Sequence, residues 1–196
     1  MLAADPMTQF GRWFADAQAA GLPEPNAMVL STVSAQGWPR SRSVLLKAHG
    51  PGGFTFYTNR TSGKAADLAA CPRASLLFPW YGLRRQVIIQ GEVTALTQQE
   101  SEPYFHSRPR GSQLGAWASR QSTVIPARTV LEERYARLAE RWPEPAPVPM
   151  PDFWGGYQVH PEIAEFWQGR ANRMHDRLRY RRLGDGGGWL VERLSP

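Results

Sequence analysis

Glu165-Phe166-Trp167-Gln168-Gly169-Arg170-Ala171-Asn172-Arg173-Met174-His175-Asp176-Arg177 gathers Trp, Gln, three Arg, His and Asp near the C-terminus. Side chains on paired β-strands alternate faces, so Arg173, His175 and Arg177 are expected on one face and Met174 and Asp176 on the other. An Arg-His-Arg row suits a planar, anionic, titratable ligand. Arg presents a fixed fork of donors, and His exchanges a proton near neutral pH. The run continues as Arg177-Leu178-Arg179-Tyr180-Arg181-Arg182, which also reads as a solvated strand face or a nucleic-acid patch. On these residues alone the solvated face takes the larger share.

The rest of the chain narrows the choice. Its 196 residues suit one domain, 1–196, with a C-terminal strand segment over 152–196. A hydrophobic fraction of 42% argues against disorder. No apolar run approaches the roughly 20 residues of a membrane helix, and Met1 to Pro6 lacks the pattern of a secretory signal. The single cysteine, Cys71, excludes an internal disulfide and a multi-Cys zinc site, and the histidines lack metal-ligand spacing. No metal and a cytoplasmic location are expected. The net charge of +6 favours anionic partners, either nucleic acid or phosphorylated small molecules. Of the 23 basic residues only Lys47 and Lys64 are lysine. Against such a bias toward Arg, a retained Lys suggests a site that needs a compact point charge.

Asp5-Pro6 reads as the cap and first residue of a helix closed by Gly21. Strand-like runs follow at 27–33, 42–47 and 54–58, the last two joined by a turn at Gly50-Pro51-Gly52-Gly53. A short helix from Ser62 to Ala70, strands at 73–78 and 85–96, and a capping box at Thr97-Gln98-Gln99-Glu100 come next. Pro126 is expected to begin a helix with Leu131, Tyr135, Leu138 and Trp142 on one face. The proline-rich stretch 143–151 is expected as a stiff, extended connector. Separate strands are expected near Tyr157, Phe166, Leu178 and Leu190, with a turn at Gly186-Gly187-Gly188. Many antiparallel strands with few helices suggest a small barrel.

Four further segments carry polar chemistry. Arg42-Ser43-Val44-Leu45-Leu46-Lys47 can end a strand with an ammonium at a cavity mouth. Tyr57-Thr58-Asn59-Arg60-Thr61-Ser62-Gly63-Lys64 runs from a strand into a helix N-terminus, whose free N–H groups suit a phosphate. An ordinary capped helix fits that segment equally well. In Tyr104-Phe105-His106-Ser107-Arg108-Pro109-Arg110-Gly111-Ser112, Tyr, Arg and Ser at a helix end can jointly hold a second phosphate. The polar amides and hydroxyls of Gln113-Leu114-Gly115-Ala116-Trp117-Ala118-Ser119-Arg120-Gln121-Ser122 can meet ring heteroatoms or phosphate oxygens, and Trp117 reads as core. Gln86 is either a strand surface residue or a ligand contact. No Walker loop, G-x-G-x-x-G or G-x-S-x-G is present.

These segments, with Phe153-Trp154-Gly155-Gly156, recur in the order found in the pyridoxine/pyridoxamine 5'-phosphate oxidases, and the chain resembles that family from about Asp5 to Pro196. The resemblance implies a mainly β fold with flanking helices, an antiparallel, Greek-key-like FMN-binding split β-barrel, and a homodimer with FMN at the subunit interface. It implies FMN contacts from Arg42, Val44, Leu45, Lys47, Tyr57, Thr58, Lys64, Gln86, Gln121, Ser122, Trp167 and Arg177. It implies substrate-phosphate contacts from Lys47, Tyr104, Arg108 and Ser112. Arg173 and His175 would line the pyridine ring as the catalytic pair. The implied reaction converts pyridoxamine or pyridoxine 5'-phosphate to pyridoxal 5'-phosphate, with O2 reduced to H2O2. No nucleic acid or membrane partner is implied.

Two departures stand out. Family members commonly carry Arg before the FMN-phosphate lysine, whereas this chain has Ser62-Gly63-Lys64, so either FMN is held more weakly or another Arg such as Arg60 substitutes. The family's N-terminal arm, which closes over substrate, is expected to be missing. The rival readings are a related split-barrel oxidase of the phenazine-biosynthesis type and, further off, a basic RNA-binding module.

Overall fold

The computed structural model describes residues 2–184 and 188–196. Helix α1, Pro6–Ala19, begins where Asp5 accepts the Thr8 N–H at 2.9 Å. That bond satisfies a backbone donor the first helical turn leaves open. The helix lays Phe10 into the sheet, with edge-on contacts to Phe54 at 4.8 Å and Phe78 at 4.9 Å. All three rings are fully buried, each worth roughly 1.5–3 kcal/mol of transfer free energy.

The strands are β1 (Ala27–Val33), β2 (Pro39–Leu45), β3 (Ala48–Gly50), β4 (Gly53–Asn59), β5 (Arg73–Trp80), β6 (Arg85–Ala95), β7 (Trp154–Gln168), β8 (Asp176–Arg182) and β9 (Trp189–Leu194). Among the described residues they form one antiparallel sheet in the order β2-β1-β5-β6-β7-β4-β3, with β8 on β7 and β9 on β8. The two strands expected near Tyr157 and Phe166 are one, β7. It pairs with β6 along one edge, and with β4 and then β8 along the other. A bulge at Gln90/Gly91 bends the β6–β7 ladder. A side chain at Gly91 would run into the His160 carbonyl. Only glycine allows the backbones to approach so closely there. The result is a curled half-barrel sheet with flanking helices.

Helix α2 (Gly63–Ala70) packs against β1, and α3 (Gln98–Ser107) opens on the capping box at Thr97 and Glu100. Strand β3, which forms a short hairpin with β4, and helix α4 (Arg110–Ala118) escape the sequence reading. Helix α5 begins at Thr129, not at Pro126, and runs to Arg141. The proline-rich stretch is no bare spacer. Val148 is buried with Phe105, Leu114 and Trp154, and the Trp117 indole donates to the Pro149 carbonyl at 2.7 Å. The expected glycine turn lies largely outside the described residues.

Candidate functional site

One cleft, about 870 Å³ in volume, collects most of the candidate residues. Strand β2 contributes Arg42, Val44 and Leu45, with Lys47 just beyond its end. Strand β4 supplies Tyr57 and Thr58, and the start of α2 supplies Lys64. Tyr104, Arg108 and Ser112 come from α3, its end and α4. Gln121 and Ser122 come from the loop beyond α4. Arg40, Ser43, Gly63, Pro109 and Trp154 also line it. The lining holds five cations and no carboxylate.

Its aromatic wall is a stack. The Tyr57 ring lies 4.2 Å from Tyr104 and 5.3 Å from Trp154, nearly parallel to both. Gly156 makes room for it, since a Cβ there would sit 2.9 Å from Tyr57 Cε1 and 2.6 Å from Leu96 Cδ1. Lys47 Nζ lies 5.7 Å from the Tyr104 ring centre.

Two cationic centres stand apart within the cleft. At the first, Lys64 is only 9% exposed. Its ammonium donates to Gln121 Oε1 at 2.7 Å, Thr58 Oγ1 at 3.0 Å and Ser62 Oγ at 3.3 Å. All three acceptors are neutral. Burial, with Arg42 adding repulsion, lowers its pKa to about 8. Ser62 occupies the cap position of α2 without capping it, and Ser122, at a positive φ of 72°, accepts the Gly63 N–H at 3.2 Å. At the second centre, Arg108 lies 4.9 Å from the Trp154 ring centre. Its Nη1 is buried without a hydrogen-bond partner among the described residues, and burial lowers its pKa. A buried donor left unpaired costs about 1–3 kcal/mol, more when charged. Both centres therefore favour an incoming anion.

Gln86, Trp167, Arg173, His175 and Arg177 lie outside this cleft. Gln86 on β6 pairs across to Trp167 on β7, and Trp167 pairs across to Arg177 on β8. The His175 ring lies 4.8 Å from Trp167, and its Nδ1 accepts the Arg170 N–H at 3.0 Å. A neutral His175 therefore carries its proton on Nε2. Arg177 is tied to Glu165 by two bonds of 2.8 and 3.1 Å, and this pairing raises its pKa.

The alternation expected over 173–177 does not hold. Antiparallel β7 and β8 meet at Gln168 and Asp176, so a reversal must fill the gap between them. Asn172 and Arg173 turn through positive φ values of 55° and 59°. Arg173 is exposed and has no side-chain partner among the described residues. Nor does Arg60 replace the cation missing at Gly63. Its guanidinium donates to the Leu96 carbonyl and lies over Gly155. In the basic run at the C-terminus Arg177 pairs with Glu165, Arg179 and Arg181 share Glu192, and Arg170 and Arg193 share Asp176, so the segment keeps excess positive charge.

Arg40 and Trp154 were missed as site residues. Arg40 shares a strand face with Arg42 by simple alternation, a signal present in the sequence. Trp154 had only its place before two glycines.

Residues 14–141 match the family described as pyridoxamine 5'-phosphate oxidase, and residues 154–196 match the pyridoxine 5'-phosphate oxidase C-terminal dimerisation region. The chain is 56% identical over 195 residues to a pyridoxine/pyridoxamine 5'-phosphate oxidase of Salinispora arenicola, covering 100% of this chain and 88% of the relative. It is 53% identical over 195 residues to that of Cupriavidus taiwanensis, covering 100% and 91%. The solved structure of PhzG from Burkholderia lata, in complex with tetrahydrophenazine-1-carboxylic acid, matches with a TM-score of 0.93 at 30% identity, over 99% of this chain and 94% of that one. A pyridoxamine 5'-phosphate oxidase-related, FMN-binding protein of Nostoc punctiforme shares the fold, with a TM-score of 0.78 at 17% identity over 100% of both chains. Sequence and fold agree along nearly the whole length: the chain belongs to the pyridoxine/pyridoxamine 5'-phosphate oxidase family.

Proposed function

We propose that the protein oxidises pyridoxamine 5'-phosphate or pyridoxine 5'-phosphate to pyridoxal 5'-phosphate, with FMN as cofactor and O2 as acceptor, as a cytoplasmic homodimer. The observation that carries this reading is the pair of anion-seeking centres in one carboxylate-free cleft. Two phosphate groups, one on the cofactor and one on the substrate, match two centres.

The residues present fit FMN. Lys64, with Ser62 and Ser122 at the start of α2, would take its phosphate, while Arg42, Val44, Leu45, Thr58 and Gln121 would border its ring and ribityl chain. When bound, FMN supplies two-electron oxidation at C4' of the substrate and the return of those electrons to O2, giving H2O2. The alcohol substrate then balances as alcohol plus O2 to aldehyde plus H2O2. The amine takes up a water as well and releases ammonia.

The chain's own part is position and charge. Arg108, Lys47, Tyr104 and Ser112 would hold the substrate phosphate and so fix where C4' lies. Arg173 and His175 would cover the pyridine ring, with the Nε2 proton of His175 available to the ring's polar atoms. Trp154 lines the cleft, and Trp167 lies 13 residues further along β7. That separation is roughly 40 Å of strand contour, so a small ligand meets both groups most simply when a second copy brings its Gln86, Trp167, Arg173, His175 and Arg177 to the first copy's cleft. The segment 152–196 carries that contact in the proposed dimer. Identity of 53–56% to oxidases of B6 vitamers, against 30% to PhzG, ranks this substrate above a phenazine precursor.

The test is turnover of the purified, FMN-loaded protein in air. Pyridoxal 5'-phosphate and peroxide are expected from at least one of the two substrates. A flavin-loaded protein that oxidises neither would retain its family and lose this substrate assignment.

A further inference from the structure

We infer that Arg40 is the second cation that holds the FMN phosphate beside Lys64, occupying the space that Gly63 leaves open. The inference rests on the FMN reading above and names a contact not among the expected site residues. A phosphate monoester carries close to two negative charges near neutral pH, and Lys64 supplies one positive charge. Arg42 is already committed, since its Nη1 donates to the Leu30 carbonyl and to Thr32 Oγ1 while Nη2 reaches Asp67 at 3.5 Å. Arg60 is turned to Leu96.

Arg40 is placed differently. It lines the cleft with Gly63 and Lys64, its side chain is 49% exposed, and among the described residues its partner is Asp67, through Nη1 at 3.1 Å. A guanidinium has five N–H donors, so most of its fork remains for another acceptor. Asp67 is itself buried and also accepts from Thr32 at 2.7 Å. It stands four residues after Gly63 on α2, on the same helix face. The tether therefore holds the Arg40 guanidinium along the face on which Gly63 presents no side chain.

The backbone does not demand glycine at 63. Its φ lies outside the left-handed region, and an added Cβ would meet only Ser122 Oγ, at 3.7 Å, and Ser122 Cβ, at 3.9 Å. Position 63 can therefore accept a cation. One negative charge on Asp67 faces two guanidiniums, so excess positive charge remains at the cleft.

The experiment titrates flavin-free protein with FMN and with riboflavin, which lacks the phosphate, following flavin fluorescence. Arg40→Ala is expected to weaken FMN binding roughly 10- to 100-fold and to leave riboflavin binding unchanged. Adding Gly63→Arg to Arg40→Ala is expected to restore much of the FMN affinity. Arg40→Gln keeps a polar side chain without the charge, so it separates the charge from the fold should the alanine variant fail to fold. Unchanged FMN affinity in the folded variants overturns the inference. So does an equal loss for FMN and riboflavin, which would mean that Arg40 acts through the shape of the pocket. If the wild-type protein takes up riboflavin and FMN equally, the phosphate site fails as a whole. If it takes up neither, the flavin reading itself fails.

Discussion

Lys64 donates to Thr58, Ser62 and Gln121, and none of the three carries a negative charge. A bound phosphate would supply that charge. Lys64→Met is expected to weaken FMN roughly 10- to 100-fold at neutral pH. The pH dependence follows from a pKa of about 8 in the flavin-free protein. Below that value the ammonium is already charged, and affinity is insensitive to its titration. Above it each binding event must also recover a proton, so affinity falls, by at most about tenfold per pH unit. The variant should lack this decline. Stability runs the other way. The folded value lies below the ordinary 10.5, so between about 8 and 10.5 the folded state binds fewer protons than the unfolded one, and stability rises with pH. Flavin-free Lys64→Met should therefore melt above wild type at pH 7, with the gap closing as pH climbs through that window. Equal melting temperatures throughout would show that the buried charge carries no cost. At the other end of the site, Arg173→Ala and His175→Ala should leave the flavin spectrum intact. Poor orientation of a substrate can cost on the order of 100-fold, and a loss of that size in substrate oxidation is expected for Arg173→Ala. Full activity in both variants would remove them from the site.

At the scale of elements, strands β1, β5 and β6 were legible because one face of each is buried. The burial of β5 and much of β6 alternates residue by residue, and that pattern is written in Leu76, Phe78, Val87 and Ile89. The capping box at Thr97 was legible for a similar reason, because its two bonds join residues three apart. The turn at 169–175 was not, since its residues share the polar and basic character of the strand expected there, and only the pairing of Gln168 with Asp176 fixes the reversal. Helix α4 was hidden because its face is defined by Val148 and Trp154, which are distant in sequence. The cleft follows the same division. Its residues were placed by resemblance to family motifs, whereas the Asp67 tether of Arg40 joins residues 27 apart that carry no local signal. The bulge supplies a prediction at this scale. Gly91→Ala should destabilise the fold by about 1–3 kcal/mol, because a Cβ there meets the His160 backbone and has no flexible side chain to displace. Urea unfolding of the flavin-free protein measures it, and an unchanged midpoint would contradict the tight β6–β7 approach.

At the scale of the molecule, the proposed site needs the cleft and the Trp167 group brought together. The cleft sits where β4 meets the start of β7, and Trp167 sits near the other end of that strand. The C-terminal segment matched to a dimerisation region carries Trp167, Arg173, His175 and Arg177 of that group. About one FMN per subunit and a dimer in solution are the expected composition. In the proposed dimer each site takes its cleft from one copy and its Trp167 group from the other. Mixing two inactive variants tests it most directly: Lys47→Ala damages the cleft and Arg173→Ala damages the other group. After the subunits have been exchanged in equal amounts, half of the dimers are mixed, and each mixed dimer holds one intact site. The mixture should then recover about a quarter of wild-type activity. Mixed dimers that form and stay at the parents' low activity would contradict a shared site, because both groups would then belong to the same copy.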